Sequence, residues 1–282
     1  GFPPAIKLDG RMTPVANQAL TSQHTADLAA SLMNDKQAAE FEATKECNFA
    51  TSPGGIGRFR VSAFVQQGRV GMVLRTIVAK IPTFDDLGLP PVLKDVVMAK
   101  RGLVIMVGGT GSGKSTTLAA MIGYRNENAY GHIITIEDPI EYTHPHKNCL
   151  VNQREIHSDT DSFSNALRAA LREDPDVVLI GEMRDLETVE AALRIAETGH
   201  LTFGTLHTNS AASTINRIID VFPSHQQAQI RTQLSLVIEG IVCQSLLPRA
   251  DGKGRVVSLE ILVPTPGIRN LIREDKVHQI YS

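Results

Sequence analysis

The stretch LVIMVGGTGSGKSTTLAA, residues 103–120, decides the fold, because its apolar run stops abruptly at a glycine-rich turn. Residues 108–115 satisfy the pattern G-x-x-x-x-G-K-[ST], with a buried strand predicted before them and a helix after them. In such a loop the backbone N–H groups point inward at a helix N-terminus, where unpaired donors and the helix dipole both favour an anion. The sequence therefore predicts a phosphate-binding loop within an α/β fold.

The residues of this loop predict how a nucleotide and its metal ion bind. In loops of this pattern the lysine, here Lys114, reaches the β- and γ-phosphates, and the hydroxyl of Ser115 ligates Mg²⁺. The predicted cofactors are therefore ATP and Mg²⁺. The residues predicted to bind the nucleotide are Gly108, Thr110, Gly111, Ser112, Gly113, Lys114, Ser115 and Thr116.

Length and composition limit the possible architectures and partners. A chain of 282 residues favours two domains, and the loop begins late enough to leave room for a domain before it. The net charge of −2 provides no basic surface for nucleic acid or an anionic membrane, and no apolar run is long enough to span a bilayer. Cys47, Cys149 and Cys243 form no C-x-x-C pair, which predicts neither disulfides nor a zinc site. We expect a cytosolic protein.

Two more predicted strands end in carboxylates. The apolar segment 132–136 leads into EDPIE, residues 137–141, and DVVLI, residues 176–180, leads into Gly181 and Glu182. In an open parallel sheet, ligands bind at the carboxyl ends of the strands. The second segment is a Walker B pattern, in which an apolar strand delivers an acid to the Mg²⁺ beside the phosphate loop. Glu182 is therefore predicted to bind the metal together with Ser115.

A histidine and two arginines allow two interpretations each. His207 ends a predicted strand in GHLTFGTLHTNSA, residues 199–211, where it is either structural or a sensor of the γ-phosphate. Arg58 and Arg60 share one face of a predicted strand, 58–65, because side chains alternate along a strand. A solvated sheet face is the commoner use of such arginines.

Other segments predict the remaining elements. We expect a turn at Asp9-Gly10, a proline-rich linker over 81–93, a long helix over 225–247, and a strand over 256–263. A short amphipathic helix over 266–274 would turn Ile268, Leu271 and Ile272 inward, and it would leave Arg269, Asn270, Arg273 and Glu274 towards solvent.

Four landmarks in order, GGTGSGKSTT, TIEDPIEY, LIGEMRD and TGHLTFGTLHTNSA, resemble the secretion-type hexameric ATPases of type IV pilus and type II secretion machines. The closing GIRNLIRED is similar to the AIRNLIRE signature of the pilus retraction branch, with Gly267 in place of alanine. The resemblance implies a PAS-like α+β N-terminal domain over 1–80, truncated at its start. After the linker, it implies a RecA-like P-loop ATPase domain with C-terminal helices over 94–282.

The same resemblance implies site roles and partners. Glu141 matches the general base for the attacking water, Glu182 the metal-binding acid, and His207 the family's catalytic histidine. Arg58 and Arg60 match arginines of the N-terminal domain that close over the phosphates. The implied assembly is a homo-hexamer that acts on an inner-membrane pilus platform protein. It contacts no nucleic acid, meets the membrane only through the platform, and lies at the cytoplasmic face of the inner membrane.

The predicted function is thus a motor ATPase that hydrolyses MgATP to drive type IV pilus retraction and twitching motility. One alternative is a pilus assembly or type II secretion ATPase, a branch that normally carries a four-cysteine zinc module absent here. Another is a slow nucleotide-gated switch, which would be expected to have lost Lys114, Glu141 or Glu182. The charge balance disfavours a nucleic-acid translocase.

Overall fold

The computed structural model describes residues 3–8, 11–77 and 80–281. The chain divides into two compact units, Gly1–Ala79 and Lys80–Ser282. The expected turn at Asp9-Gly10 lies outside the described residues. Within them, no helix is both long and apolar enough to cross a membrane.

The first unit is an α+β arrangement of a hairpin, two helices and a three-stranded antiparallel sheet of order β3-β4-β5. Its elements are β1 (Ala5–Leu8), β2 (Arg11–Pro14), α1 (Ser22–Leu32), α2 (Asp35–Thr44), β3 (Glu46–Thr51), β4 (Arg58–Gln66) and β5 (Arg69–Ile77). Both helices begin with a capping box, formed by Thr21 and Asn34, which satisfies N–H groups that have no helical partner. Cys47, Phe49 and Val61 are at the centre of a small core.

The second unit is built on a seven-stranded mixed sheet of order β12-β11-β6-β10-β9-β7-β8, in which only β12 is antiparallel. Its strands are β6 (Gly102–Val107), β7 (Gly131–Glu137), β8 (Cys149–Glu155), β9 (Val177–Ile180), β10 (Leu201–Leu206), β11 (Ile238–Pro248) and β12 (Arg255–Leu262). Its helices are α3 (Phe84–Leu87), α4 (Val92–Val97), α5 (Lys114–Asn128), α6 (Phe163–Ala170), α7 (Leu186–Glu197), α8 (Ala211–Asp220), α9 (Ser224–Val237) and α10 (Pro266–Arg273), followed by a 3-10 turn, Val277–Gln279. The predicted α/β class is confirmed.

Two apolar layers cover the two faces of this sheet. Along β6, Leu103, Ile105 and Val107 belong to the layer with α6 to α10, whereas Val104 and Met106 belong to the layer with α3 to α5. Because the sheet is covered on both faces, the central strands β6, β9 and β10 are buried at every position, as expected for parallel strands. The carboxyl ends of β6, β7, β9 and β10 therefore meet at one edge.

Two segments differ from the prediction. Residues 81–93 belong to the second unit, since Phe84, Leu89 and Leu93 are buried in its core despite the three prolines. The long helix predicted over 225–247 ends at Val237, and the chain continues as β11 beside β6. The apolar spacing runs through this boundary, but the β-branched segment pairs in parallel with the buried β6 and so becomes a strand.

Candidate nucleotide-binding site

The phosphate-binding loop connects β6 to α5. Gly113 precedes the helix with a φ of 86°, a left-handed conformation that glycine adopts without strain. At Gly108 a Cβ atom would lie 2.3 Å from the backbone oxygen of Gln244, so only glycine fits there. No side chain caps the start of α5. The first N–H groups of this helix are therefore available to an anion.

Lys114 lies over the loop. Its Nζ donates to the carbonyl oxygens of Gly108 at 2.6 Å and Gly109 at 3.2 Å. Burial lowers the pKa of Lys114 below its usual range, although the charges of Glu182 and Glu141 act in the opposite direction. The loop lysine and both predicted catalytic carboxylates therefore form one electrostatic cluster.

The turn that carries Glu182 is held by the strands on both sides of β9. Gly181 N–H donates to the Ile136 carbonyl of β7 at 2.8 Å, and Met183 N–H donates to the Thr205 carbonyl of β10 at 3.0 Å. The Thr205 hydroxyl also donates to the Gly181 carbonyl at 2.5 Å. These bonds fix the backbone on each side of Glu182 and so fix the direction of its side chain.

Two basic side chains hold the carboxylate of Glu182. Its Oε1 lies 3.1 Å from Nε2 of His207, and its Oε2 lies 2.6 Å from an Nη atom of Arg184. Burial alone would raise the pKa of Glu182, but the hydrogen bonds and charges of Arg184 and His207 outweigh it and lower that pKa. The carboxylate is therefore ionised at neutral pH. The structure thus brings together Glu182 and His207, which the sequence predicted separately.

The turn after β7 distinguishes its two glutamates. Glu137 is engaged inside the protein, where its carboxylate accepts from the Thr135 hydroxyl at 2.6 Å and burial raises its pKa. Ile140 N–H donates to Glu155 of β8 at 3.0 Å, which anchors the turn. Glu141 is exposed at the end of this anchored segment. Of the two, Glu141 is the carboxylate open to a ligand.

Three side chains at this edge were not predicted. Arg184 binds Glu182 as described, and the Tyr142 hydroxyl lies 3.1 Å from the Thr116 hydroxyl of α5. A small cavity of about 40 Å³ beside Ser115 is lined by Tyr142 and His144. His144 is buried, its Nδ1 has no hydrogen-bond partner among the described residues, and burial lowers its pKa to about 4. Tyr142 and Arg184 lie within the landmarks TIEDPIEY and LIGEMRD, but neither residue type indicates this role by itself.

The predicted arginines lie elsewhere in the chain. Arg58 and Arg60 are on β4 of the first unit, and their contact with a nucleotide stays a prediction. Arg60 pairs directly with Arg75 of β5, and both side chains are exposed. The stretch that contains His207 also contains a second histidine, His200. It lies at the opposite, amino end of β10, where its Nδ1 is 3.1 Å from the Ile195 carbonyl oxygen near the end of α7.

A P-loop, a strand-end acid and a predominantly parallel sheet define the class of this unit as a P-loop ATPase. The chain belongs to the family described as Type II/IV secretion system protein, whose model matches residues 50–281. It is 53% identical to the type IV pilus retraction ATPase PilT of Pseudomonas aeruginosa, over the whole chain and 82% of that protein. It is 52% identical to the type IV pilus ATPase PilU of the same organism, over 99% of the chain and 73% of that protein. A crystal structure of the pilus retraction motor PilT with bound ADP superposes with a TM-score of 0.96 at 52% identity, covering 99% of this chain and 81% of the other.

Proposed function

We propose that this chain is a hexameric motor ATPase that hydrolyses MgATP to drive the retraction of type IV pili, by moving an inner-membrane platform protein. The observation that carries the proposal is the 53% identity to PilT along the whole chain, together with an intact set of Lys114, Glu141 and Glu182. The close superposition on the ADP-bound retraction motor supports the same conclusion.

The arrangement of this chain's own groups suits phosphoryl transfer to water. The N–H groups at the start of α5 and the Lys114 ammonium bind the phosphates of ATP. Glu141, exposed at the edge of the sheet, accepts a proton from the attacking water. At the same time the water oxygen forms a bond to the γ-phosphorus, and the bond between that phosphorus and the ADP oxygen breaks. His207 is held against Glu182 at the edge of the sheet where the phosphates would bind.

The residues present fit a magnesium ion. The Ser115 hydroxyl and the ionised Glu182 carboxylate provide oxygen ligands, which Mg²⁺ prefers. The Ser115 hydroxyl and the Glu182 carboxylate would hold the ion, and Arg184 and His207 orient that carboxylate through contacts with its two oxygens. When bound, Mg²⁺ neutralises charge on the phosphate oxygens.

Arg58 and Arg60 supply positive charge from the first unit in this proposal. Like charges directly opposite each other on neighbouring strands are destabilising, and Arg60 faces Arg75 in this way. An anionic group bound between the two guanidinium groups would offset this repulsion. We infer that the phosphates of a nucleotide provide that group, so that these arginines stabilise negative charge that develops in the transition state.

The alternative functions are less well supported. A pilus assembly or type II secretion ATPase would carry four zinc-binding cysteines, whereas this chain has three cysteines, all buried and free. Sequence identity alone does not separate a PilT-like function from a PilU-like one, because the chain is 53% identical to PilT and 52% identical to PilU. The closing GIRNLIRED, which retains the retraction signature apart from Gly267, favours the first.

Two measurements test the proposal. Purified protein should hydrolyse MgATP at a rate that single-stranded DNA does not change, and Lys114→Ala should abolish that rate. Deletion of the gene should leave cells that assemble pili but do not retract them. Loss of assembled pili would indicate the extension function, and a protein that binds MgATP without turnover would indicate the switch.

A further inference from the structure

The phosphate-binding loop rests on a buried amide of the neighbouring strand β11. Gln244 is 5% exposed, and its Nε2 donates to the Ser112 carbonyl at 2.7 Å. Its Oε1 accepts from the Thr117 hydroxyl of α5 at 2.8 Å. One side chain thus joins the loop to the first turn of the helix, from a position 132 residues after Ser112.

Gln244 also packs directly against two glycines of the loop, through its backbone at one and its side chain at the other. A Cβ atom on Gly108 would lie 2.3 Å from the backbone oxygen of Gln244, and one on Gly113 would lie 2.8 Å from its Nε2. The strand register explains this contact. Cys243 of β11 pairs with Val107, the last residue of β6, so the residues that follow them, Gln244 and Gly108, lie next to each other. The loop is therefore packed against Gln244 at its beginning and its end.

The hydrogen bond to Ser112 has a consequence for phosphate binding. The Ser112–Gly113 peptide is trans, as is usual where the second residue is not proline. In a trans peptide the C=O and the following N–H point in opposite directions. A Ser112 carbonyl directed at Gln244 therefore directs the Gly113 N–H away from Gln244, which leaves this donor for an anion.

We propose that Gln244 is a positioning residue of this ATPase, which orients the Gly113 N–H towards the nucleotide phosphates by holding the Ser112 carbonyl. The inference rests on nucleotide binding at this loop, as proposed above. Gln244 should stabilise the bound nucleotide in the ground state as well as in the transition state, because the Gly113 N–H contacts phosphate both before and during the reaction. Loss of this orientation should therefore raise KM more than it lowers kcat.

Two substitutions separate orientation from packing. Gln244→Met keeps the length and apolar volume of the side chain but removes both the donor to Ser112 and the acceptor for Thr117. Gln244→Glu keeps an acceptor for Thr117 but places a carboxylate against the Ser112 carbonyl. Ser235→Ala is the matched control, because Ser235 is fully buried and its hydroxyl donates to the Thr232 carbonyl at 2.7 Å on α9.

The experiment measures the Kd for MgADP, the KM and kcat for MgATP, and the melting temperature of each variant. We expect Gln244→Met to raise Kd and KM about tenfold, the value of one net hydrogen bond, and to change kcat less than threefold. Gln244→Glu should weaken binding further. Ser235→Ala should lower the melting temperature without changing Kd.

The result that overturns the inference is a Gln244→Met protein that binds MgADP as tightly as wild type. An equal loss of affinity in Ser235→Ala would also overturn it, because general destabilisation would then explain the effect. Wild-type protein that binds no MgADP would instead refute the nucleotide site itself, and the inference with it.

Discussion

Arg269 is expected to hold the end of α9, and replacing it by alanine should destabilise the second unit. The sequence placed this arginine towards solvent, but its guanidinium donates to the Ser235 carbonyl at 3.0 Å and the Leu236 carbonyl at 3.2 Å. It also binds Glu239 at 3.1 Å. Helices leave their last carbonyls without helical partners, and α9 has no basic residue in its own last turn. Arg269 supplies both the donors and the positive charge that this end lacks.

The size of the effect follows from these contacts. Hydrogen bonds to a charged group are worth about 1.5–3 kcal/mol each when buried. Arg269 is partly exposed, with 27% of its side chain accessible, so water can replace some of this energy in the variant. The partly exposed ion pair with Glu239 adds at most about 1 kcal/mol. We therefore expect Arg269→Ala to cost about 2 kcal/mol, which lowers the melting temperature by about 4–8 °C in a unit of this size.

Arg273→Ala is the matched control. Arg273 is exposed and binds Asn270 of its own helix, so its replacement should change stability by about 0.5 kcal/mol or less. Thermal unfolding followed by circular dichroism decides the comparison, and Arg269→Lys should give an intermediate value because lysine lacks the planar fork of donors. Equal melting temperatures for Arg269→Ala and Arg273→Ala would refute the reasoning.

Three further predictions concern the site. Lys114→Ala should lower turnover by about 10²–10³-fold or more and weaken nucleotide binding, measured by phosphate release and by titration with MgADP. Glu141→Gln should bind MgADP normally but hydrolyse ATP about 10²–10⁴-fold more slowly, whereas excess Mg²⁺ should partly restore Glu182→Gln; the reverse pattern would exchange their roles. The pKa of His144, lowered to about 4 by burial and by the charge of Lys147, makes the unfolded state bind the extra proton below pH 6.5. Stability should therefore fall by about 2 kcal/mol between pH 7.5 and pH 5 in urea unfolding, and His144→Gln should remove this part of the pH dependence.

The parts of the fold that the sequence predicted are those whose signal is local. The strand β6 and the loop after it were recognisable because six consecutive buried residues meet a glycine pattern with a fixed chemical purpose. Glu182 was recognisable because its strand-end position accompanies a phosphate loop earlier in the chain, whereas His207 kept two interpretations until the resemblance to secretion ATPases favoured the catalytic one. By contrast, β8 was not predicted, because Asn152, Gln153 and Arg154 on this edge strand interrupt any apolar pattern.

The misassigned β11 shows why the remaining site residues could not be predicted. A helical spacing of apolar residues continues across the true end of α9, through Ile230, Leu234, Val237, Ile238 and Ile241. If this segment were a helix, nothing would indicate which part of the protein Gln244 contacts. Its role exists only because β11 lies parallel to β6 with Cys243 opposite Val107. A slip of one residue in that register would turn Gln244 to the other face of the sheet, away from Ser112 and Thr117. A neutral amide carries no chemical signature of phosphate binding, so its function depends on tertiary pairing between segments more than a hundred residues apart. The order of β11 and β6 in the sheet thus determines the geometry of the loop as directly as the glycine pattern does.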